Sequence, residues 1–231
     1  LTEVAALISK DPVLSFRVLQ LVNSAYYGLR HSFTSIEQAV VYLGADSIRN
    51  IAITTAIHQV FDRKKFGKVK QFSMAEFWYH SLLCATLAKR IGEHLGFSSP
   101  DEAYLSGLIH DIGRLILIST FPREHESILV KTSDVQNMLW AETQLIGVTH
   151  SEVGAWLVQE WNLNSLMADA ILYHHEPLEQ VTEAFPLVKI LYLANVLSDA
   201  EEPHLVADVA DELFGLAPPE VVQISEGARQ E

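Results

Sequence analysis

The sequence lacks the features of secreted and membrane-bound proteins. It has one cysteine, Cys84, so no intramolecular disulfide can form, which is typical of a reducing compartment. Its apolar runs, such as Leu115–Ile118, are far too short to span a bilayer, and it has no basic and apolar N-terminal signal. We therefore expect a soluble cytoplasmic protein with no membrane partner, in which Cys84 is a buried small side chain rather than a reactive thiol.

Basic residues are scarce. The chain has 16 Lys and Arg against 29 Asp and Glu, a formal charge of −13. The electrostatic field of this negative net charge repels phosphate backbones, which argues against general nucleic-acid binding. The local exception is a cluster of basic residues between residues 62 and 70. We interpret it as a solvated linker, and the alternative is an anion-binding patch. Its members are Arg63, Lys64, Lys65, Lys68 and Lys70.

Several catalytic motifs and one type of secondary structure are also missing. We find no glycine-rich phosphate loop, no Gly-x-Ser-x-Gly elbow and no cysteine beside a plausible base, so nothing indicates nucleophilic catalysis. Strand-like alternation is absent, and apolar residues recur at helical intervals throughout. With 231 residues, 49% of them hydrophobic, the chain is long enough to form a real core. These features predict an all-α fold.

Helix caps and breaks divide the chain into segments. Asp11 before Pro12 and Ser35 each predict the start of a helix, and Gly44 predicts an end. We expect an N-terminal helical subdomain over residues 1–66, a second helical subdomain over 72–200, and a short helix with a loose end over 201–231. In the second subdomain the predicted helices span residues 74–95, 99–119, 135–145, 151–161, 165–175 and 185–198.

Imidazoles and carboxylates recur at spacings that suit a buried metal centre. Glu76 and His80 lie one helical turn apart and share a face. His110 and Asp111 interrupt an apolar helix, where unpaired ionisable groups are costly to bury. His150, His174 and His175 add further imidazoles. Such ligands suit zinc, iron or manganese. The alternative is a hydrogen-bonded core histidine with an aspartate that caps a helix.

These residues resemble a known family. His80 and His110-Asp111 are similar to the signature of the HD superfamily of metal-dependent phosphohydrolases. Three N-terminal segments and a C-terminal run are similar to the HDOD domain, the HD-related output domain of bacterial signalling proteins. The N-terminal segments are Asp11–Leu14, Leu19–Gly28 and Ser35–Gly44, and the C-terminal run comprises Glu142, Gly147, His150, Gly154, Trp161 and His174-His175.

The resemblance implies a helical HD-superfamily-like domain that acts as a regulatory platform, with other signalling proteins or an attached receiver or sensor module as partners. Against the related HD-GYP phosphodiesterases, matching positions imply a site for one or two divalent ions. The implied metal ligands are Glu76, His80, His110, Asp111, His150, His174, His175 and Asn195. A phosphorylated nucleotide is a candidate ligand. If the chain were an enzyme, Asp111 and Arg114 would be its catalytic residues, and a cyclic dinucleotide or other phosphoester would be its substrate.

Two departures from those phosphodiesterases favour regulation over turnover. Asn195 stands where they have an aspartate, and an amide oxygen is a weaker, uncharged ligand. The Gly-Tyr-Pro segment expected after His175 is replaced by Glu176-Pro177-Leu178. We therefore expect a signalling output domain with a retained but altered metal site; the alternative is a working phosphohydrolase. Because the chain opens on Leu1 in a helical pattern and without an initiator methionine, we also expect it to be a fragment or a processed form of a longer protein.

Overall fold

The computed structural model describes residues 2–23, 32–60, 69–131 and 135–229. Throughout these residues the regular structure is helical, which confirms the predicted fold class. The chain divides into two compact units, residues 1–62 and 63–231. Two sequence features, the segment 24–28 of the N-terminal motif and the basic residues 63–68, lie outside the described residues, while Lys70 is exposed.

In residues 2–23 and 32–60, the first unit is a small bundle of four helices. Asp11 Oδ1 accepts hydrogen bonds from the backbone of Val13 and Leu14, and Ser35 Oγ accepts one from Gln38, which confirms both predicted caps. A core that includes Val18 and Ile48 joins the helices. They are α1 (Thr2–Ile8), α2 (Pro12–Val22), α3 (Ile36–Leu43) and α4 (Ala45–Val60).

The second unit contains the longest helix of the described residues and all the candidate metal ligands. Its α-helices are α5 (Met74–His94), α6 (Pro100–Ile109), α7 (Ile112–Thr120), α8 (Pro122–Lys131), α9 (Val135–Leu145), α10 (His150–Glu160), α11 (Ser165–Tyr173), α12 (Leu178–Val181), α13 (Pro186–Asp199), α14 (Ala207–Phe214) and α15 (Pro218–Arg229). A 3₁₀ turn spans Pro203–Val206. The prediction of one short helix after residue 200 is therefore wrong, because two helices follow this turn.

The prediction of a continuous helix over residues 99–119 is also wrong. The helix stops after Ile109 and resumes at Ile112, and Asp111 has φ −96° and ψ 8°. Apolar periodicity runs through the break, so the pattern could not reveal it. In an unbroken helix neighbouring side chains point about 100° apart. Because the helix is broken here, the side chains of His110 and Asp111 can point towards the same group of buried histidines.

Helices α5 and α6 approach closely at Gly107. A Cβ atom on this residue would lie 2.7 Å from Ala85 Cα and 2.8 Å from the Cys84 carbonyl oxygen. Cys84 is fully buried at this contact, as predicted, and burial raises the pKa of its thiol well above the ordinary value. The absent side chain at residue 107 therefore allows the helices that carry His80 and His110 to lie side by side.

Candidate metal centre

The candidate ligands come from helix ends as well as helix interiors. His110 and Asp111 occupy the break between α6 and α7, and His150 is the first residue of α10. His174 and His175 directly follow α11. Among these, His175 is half-buried and the others are buried. Helix ends widely separated in sequence are thus brought together inside the second unit.

Asp111 lies at the centre of three imidazoles. Its Oδ1 lies 3.4 Å from His150 Nε2, 3.7 Å from His174 Nε2 and 3.9 Å from His110 Nε2. These separations are too long for strong hydrogen bonds. Asp111 Oδ1, His150 Nε2 and His174 Nε2 are all buried without a hydrogen-bond partner among the described residues. Buried polar atoms are rarely left in this state.

The other ring nitrogen of each imidazole has an acceptor. With Nδ1–H donated, each Nε2 carries the lone pair that faces the cluster, as metal ligation requires. The three Nδ1 contacts are His110 to the Gly107 carbonyl at 2.7 Å, His174 to the Ile171 carbonyl at 2.6 Å, and His150 to Glu142 Oε2 at 2.8 Å.

A second group of ligands shares Asp111 with the first. His80 Nε2 lies 3.1 Å from His110 Nε2, while His80 Nδ1 lies 3.1 Å from Asp199 Oδ1. If both Nδ1 atoms carry protons, two lone pairs face each other, which requires a cation or a further proton between them. Burial opposes a proton on His80, but Asp199 and Asp111 outweigh it and raise the pKa of His80.

The geometry fits a divalent ion. Within the described residues, one set of ligand atoms comes from Asp111, His150, His174 and His175, and a second from His80, His110 and Asp111. Ligand atoms at about 2.1 Å from one ion stand roughly 3.0–3.4 Å apart, close to the separations around Asp111. Imidazoles with a carboxylate suit zinc, iron or manganese. The buried cluster can therefore hold a metal, and the sharing of Asp111 would allow one ion or two.

The charge states of the cluster also favour a bound cation. Burial acts to raise the pKa of Asp111, but Arg114 and the neighbouring imidazoles hold it well below its ordinary value, so the carboxylate is ionised. Burial lowers the pKa of His110 to about 3 and also lowers the pKa values of His174 and His175. An ionised carboxylate among neutral imidazoles is the state that binds metal.

A cavity of about 620 Å³ opens beside the cluster. It is lined in part by Glu76, Asp111, Arg114, His175 and Asn195. Glu76 is exposed and belongs to neither ligand group, whereas Asn195 is 4% exposed, and its buried Oδ1 has no hydrogen-bond partner among the described residues. The structure thus brings six of the eight sequence-predicted ligands together, and it places the other two along the wall of the adjoining cavity.

The same wall carries the cationic residue predicted for catalysis. Arg114 Nη1 donates a hydrogen bond of 2.7 Å to Asp111 Oδ2. One oxygen of Asp111 is therefore held by the guanidinium while the other faces the imidazoles. This pairing leaves part of the guanidinium fork available to the cavity.

Sequence reasoning missed three polar residues around the site. Glu142 appeared in the family-like run but received no role, and the structure makes it the acceptor for His150. Asp199 contacts His80, and nothing in the local pattern distinguishes it from other exposed acids. His125 is fully buried, and neither ring nitrogen has a hydrogen-bond partner in the part of the chain that the structure describes.

Comparison with known proteins identifies related sequences. A family model described as the HDOD domain matches residues 1–177. An uncharacterized protein of Treponema pallidum (strain Nichols) is 27% identical over 214 residues, which cover 88% of this chain and 40% of that protein. The chain therefore spans well under half the length of the curated relative that it matches.

Solved structures give the same picture of the fold. An HDOD domain protein of unknown function from Geobacter sulfurreducens is 27% identical with a TM-score of 0.72, over 99% of this chain and 82% of that one. A protein from Shewanella amazonensis SB2B, provisionally named a phosphohydrolase, is 25% identical with a TM-score of 0.78, over 100% and 82%. The MmoQ response regulator of Methylococcus capsulatus str. Bath is 25% identical with a TM-score of 0.63, over 96% and 87%.

One further property concerns membranes. In residues 2–23, 32–60, 69–131 and 135–229, each helix is too short or too polar to cross a lipid bilayer.

Proposed function

The chain belongs to the HDOD domain family, and on that premise we propose that it is a cytoplasmic signal-transduction output domain that acts through protein contacts. In this proposal the chain keeps a metal centre for structure and regulation, and it does not turn substrate over efficiently. Its partners would be other signalling proteins or an attached receiver or sensor module. The likeness to a response regulator over most of both chains supports this role.

The observation that carries the proposal is the amide at residue 195. Imidazoles surround Asp111, yet the cavity wall beside them presents the neutral Asn195. A carboxylate here would offset the charge of a second dication, which an amide does not do. A site with these imidazoles and without this carboxylate is suited to hold metal more than to drive hydrolysis.

The direct test is an assay of phosphodiester and phosphomonoester hydrolysis with metal-loaded protein. We expect turnover far below about 1 s⁻¹, the low end for ordinary enzymes. Asn195→Asp should bind metal more tightly and gain measurable hydrolysis, while Asn195→Ala serves as the matched control without a ligand oxygen. A wild-type rate near 1 s⁻¹ would overturn the proposal.

The second candidate is a working metal-dependent phosphohydrolase. It is favoured by Arg114, which lines the same cavity as the cluster and can meet a phosphoryl group. A bound dication would polarise a phosphoryl oxygen and acidify a bound water. Elemental analysis of protein prepared without chelator discriminates cheaply, because less than about one tenth of a metal ion per chain would remove this candidate.

A further inference from the structure

The mouth of the metal centre contains a carboxylate that the sequence did not predict. Asp199 lies at the end of α13, one turn after Asn195, so both residues lie on the same side of that helix. Asp199 Oδ1 lies 3.1 Å from His80 Nδ1, and both residues line the cavity. Helix α13 has no acid at position 195, but it places the carboxylate of Asp199 beside the site.

We infer that Asp199 is the positioning residue for His80: its carboxylate accepts the Nδ1–H and so presents Nε2 to the metal centre. This inference rests on the proposed metal centre. Metal-ligating histidines commonly donate their second ring N–H to a carboxylate, a carbonyl or water, which fixes the tautomer and raises the basicity of the ligand. His80 and Asp199 have the geometry of such a pair.

The three imidazoles that face Asp111, those of His110, His150 and His174, support this assignment. Each has its own Nδ1 acceptor, and all three of those acceptors are backbone carbonyls or buried groups. Asp199 is the corresponding acceptor for His80 Nδ1, but its side chain is 68% exposed. The orientation of His80 thus depends on a group at the protein surface, where solvent and ligands reach it.

Ser198 is the competing partner for the same nitrogen. Its Oγ lies 3.3 Å from His80 Nδ1, and it also lies 2.7 Å from the carbonyl oxygen of Asn195, to which it donates. With its proton committed to that carbonyl, the hydroxyl can only accept a weaker and longer bond from His80. Charge and distance both favour Asp199.

The first experiment reads the tautomer of His80 in metal-free protein. Long-range ¹H–¹⁵N correlations at pH 8 should show a proton on Nδ1 in the wild type. Asp199→Ala should shift the population towards Nε2–H, and Asp199→Asn should largely preserve the wild-type tautomer because its amide oxygen still accepts. Glu201→Gln is the matched control, since it removes an exposed acid near the same helix end. An unchanged tautomer in Asp199→Ala overturns the inference.

The second experiment measures Zn²⁺ affinity by competition with a chromophoric chelator. Asp199→Ala should weaken binding by about 10- to 100-fold, the usual range for an orienting partner. In a His80→Ala background the same substitution should have no further effect. If the loss persists there, Asp199 acts on the ion directly and the inference is wrong.

The two proposals fail in different ways. A wild-type chain that binds no Zn²⁺ overturns the proposed metal centre and the role of Asp199 in it. A wild-type chain that binds Zn²⁺, with Asp199→Ala binding equally well, overturns only the positioning role. In chelator, the melting temperatures of the Asp199 and Glu201 single variants should match the wild type, because both residues are exposed.

Discussion

One carboxylate oxygen of Glu142 accepts two hydrogen bonds from a single residue, His150. The backbone N–H of His150 donates at 2.9 Å and its ring Nδ1 lies at 2.8 Å, and both side chains are fully buried. The backbone bond satisfies one of the free amides at the start of α10, and the ring bond fixes the imidazole. The start of a helix and the orientation of a candidate ligand are therefore controlled by the same atom.

Glu142→Ala should lower the free energy of unfolding by about 2–4 kcal/mol, because it leaves two buried donors without an acceptor. Glu142→Gln keeps an acceptor oxygen and should cost less. Gln144→Ala, an exposed change on the same helix, is the control and should stay within about 0.5 kcal/mol of the wild type. Urea unfolding measures all three, and equal stability of Glu142→Ala and Gln144→Ala would contradict the prediction.

His110→Ala should lower metal content and melting temperature together. The imidazole is fully buried beside Asp111, and bound metal stabilises the folded chain by linkage. His94→Ala is the matched control, because His94 is partly exposed and pairs with Glu220 away from the cluster. Elemental analysis and thermal melts with and without chelator are the measurements. A His110→Ala protein with unchanged metal content and melting temperature would count against the metal centre.

Local signals predicted the helix caps, but they did not predict the helix break or the acid that contacts His80. Ser35 and Asp11 each act within three residues, so the sequence alone was enough to place them. The helix break at His110-Asp111 was not predicted, because the apolar pattern continues on both sides of it. The contact of Asp199 with His80 was not predicted for a different reason. The two residues are more than a hundred positions apart in the sequence, and only the folded chain brings them together.

The buried histidine and aspartate of the candidate metal centre could be predicted from the cost of burying them. Buried ionisable residues stand out in apolar sequence because an unpaired one is costly, as at His110-Asp111. Glu76 was predicted from its spacing to His80 and Asn195 from the family resemblance, and both side chains line the cavity beside the cluster. Family resemblance fixes which helix carries a residue, whereas the distance to the cluster depends on how that helix packs.

Gly113→Ala should be strongly destabilising. A Cβ atom at this residue would collide with the backbone carbonyl of His150 and lie 2.9 Å from Gly154 N, so α7 and α10 would have to separate. We expect a loss of about 3 kcal/mol or more and weaker metal binding, because His150 would move. Gly92→Ala is the matched control: its nearest neighbour would be Pro100 Cα at 3.6 Å, an ordinary contact.

The two glycine variants should therefore change stability in opposite directions. In a helix interior, an alanine that fits is favoured over glycine by roughly 0.5–1 kcal/mol. Gly92→Ala should thus unfold at slightly higher urea concentration than the wild type, and Gly113→Ala at much lower concentration. A Gly113→Ala protein of wild-type stability would show that the two helices do not meet at this residue.

The buried imidazole of His125 should make stability depend on pH. Burial lowers its pKa to about 4, although Glu142 acts in the opposite direction. In the unfolded chain the pKa is near 6.5. Between these values the unfolded chain binds a proton that the folded chain excludes, so stability falls as the pH drops from about 6.5 to about 4, by at most roughly 3 kcal/mol.

His125→Leu isolates this contribution. The variant should lose less stability than the wild type across that pH window, and it should also gain from removing two buried ring nitrogens without partners among the described residues. Urea unfolding in chelator keeps metal release from contributing, and the titration of the other histidines cancels in the difference between the two proteins. His204→Leu, at an exposed histidine, is the control. Parallel stability curves for His125→Leu and the wild type would mean that His125 titrates alike in the folded and unfolded chains.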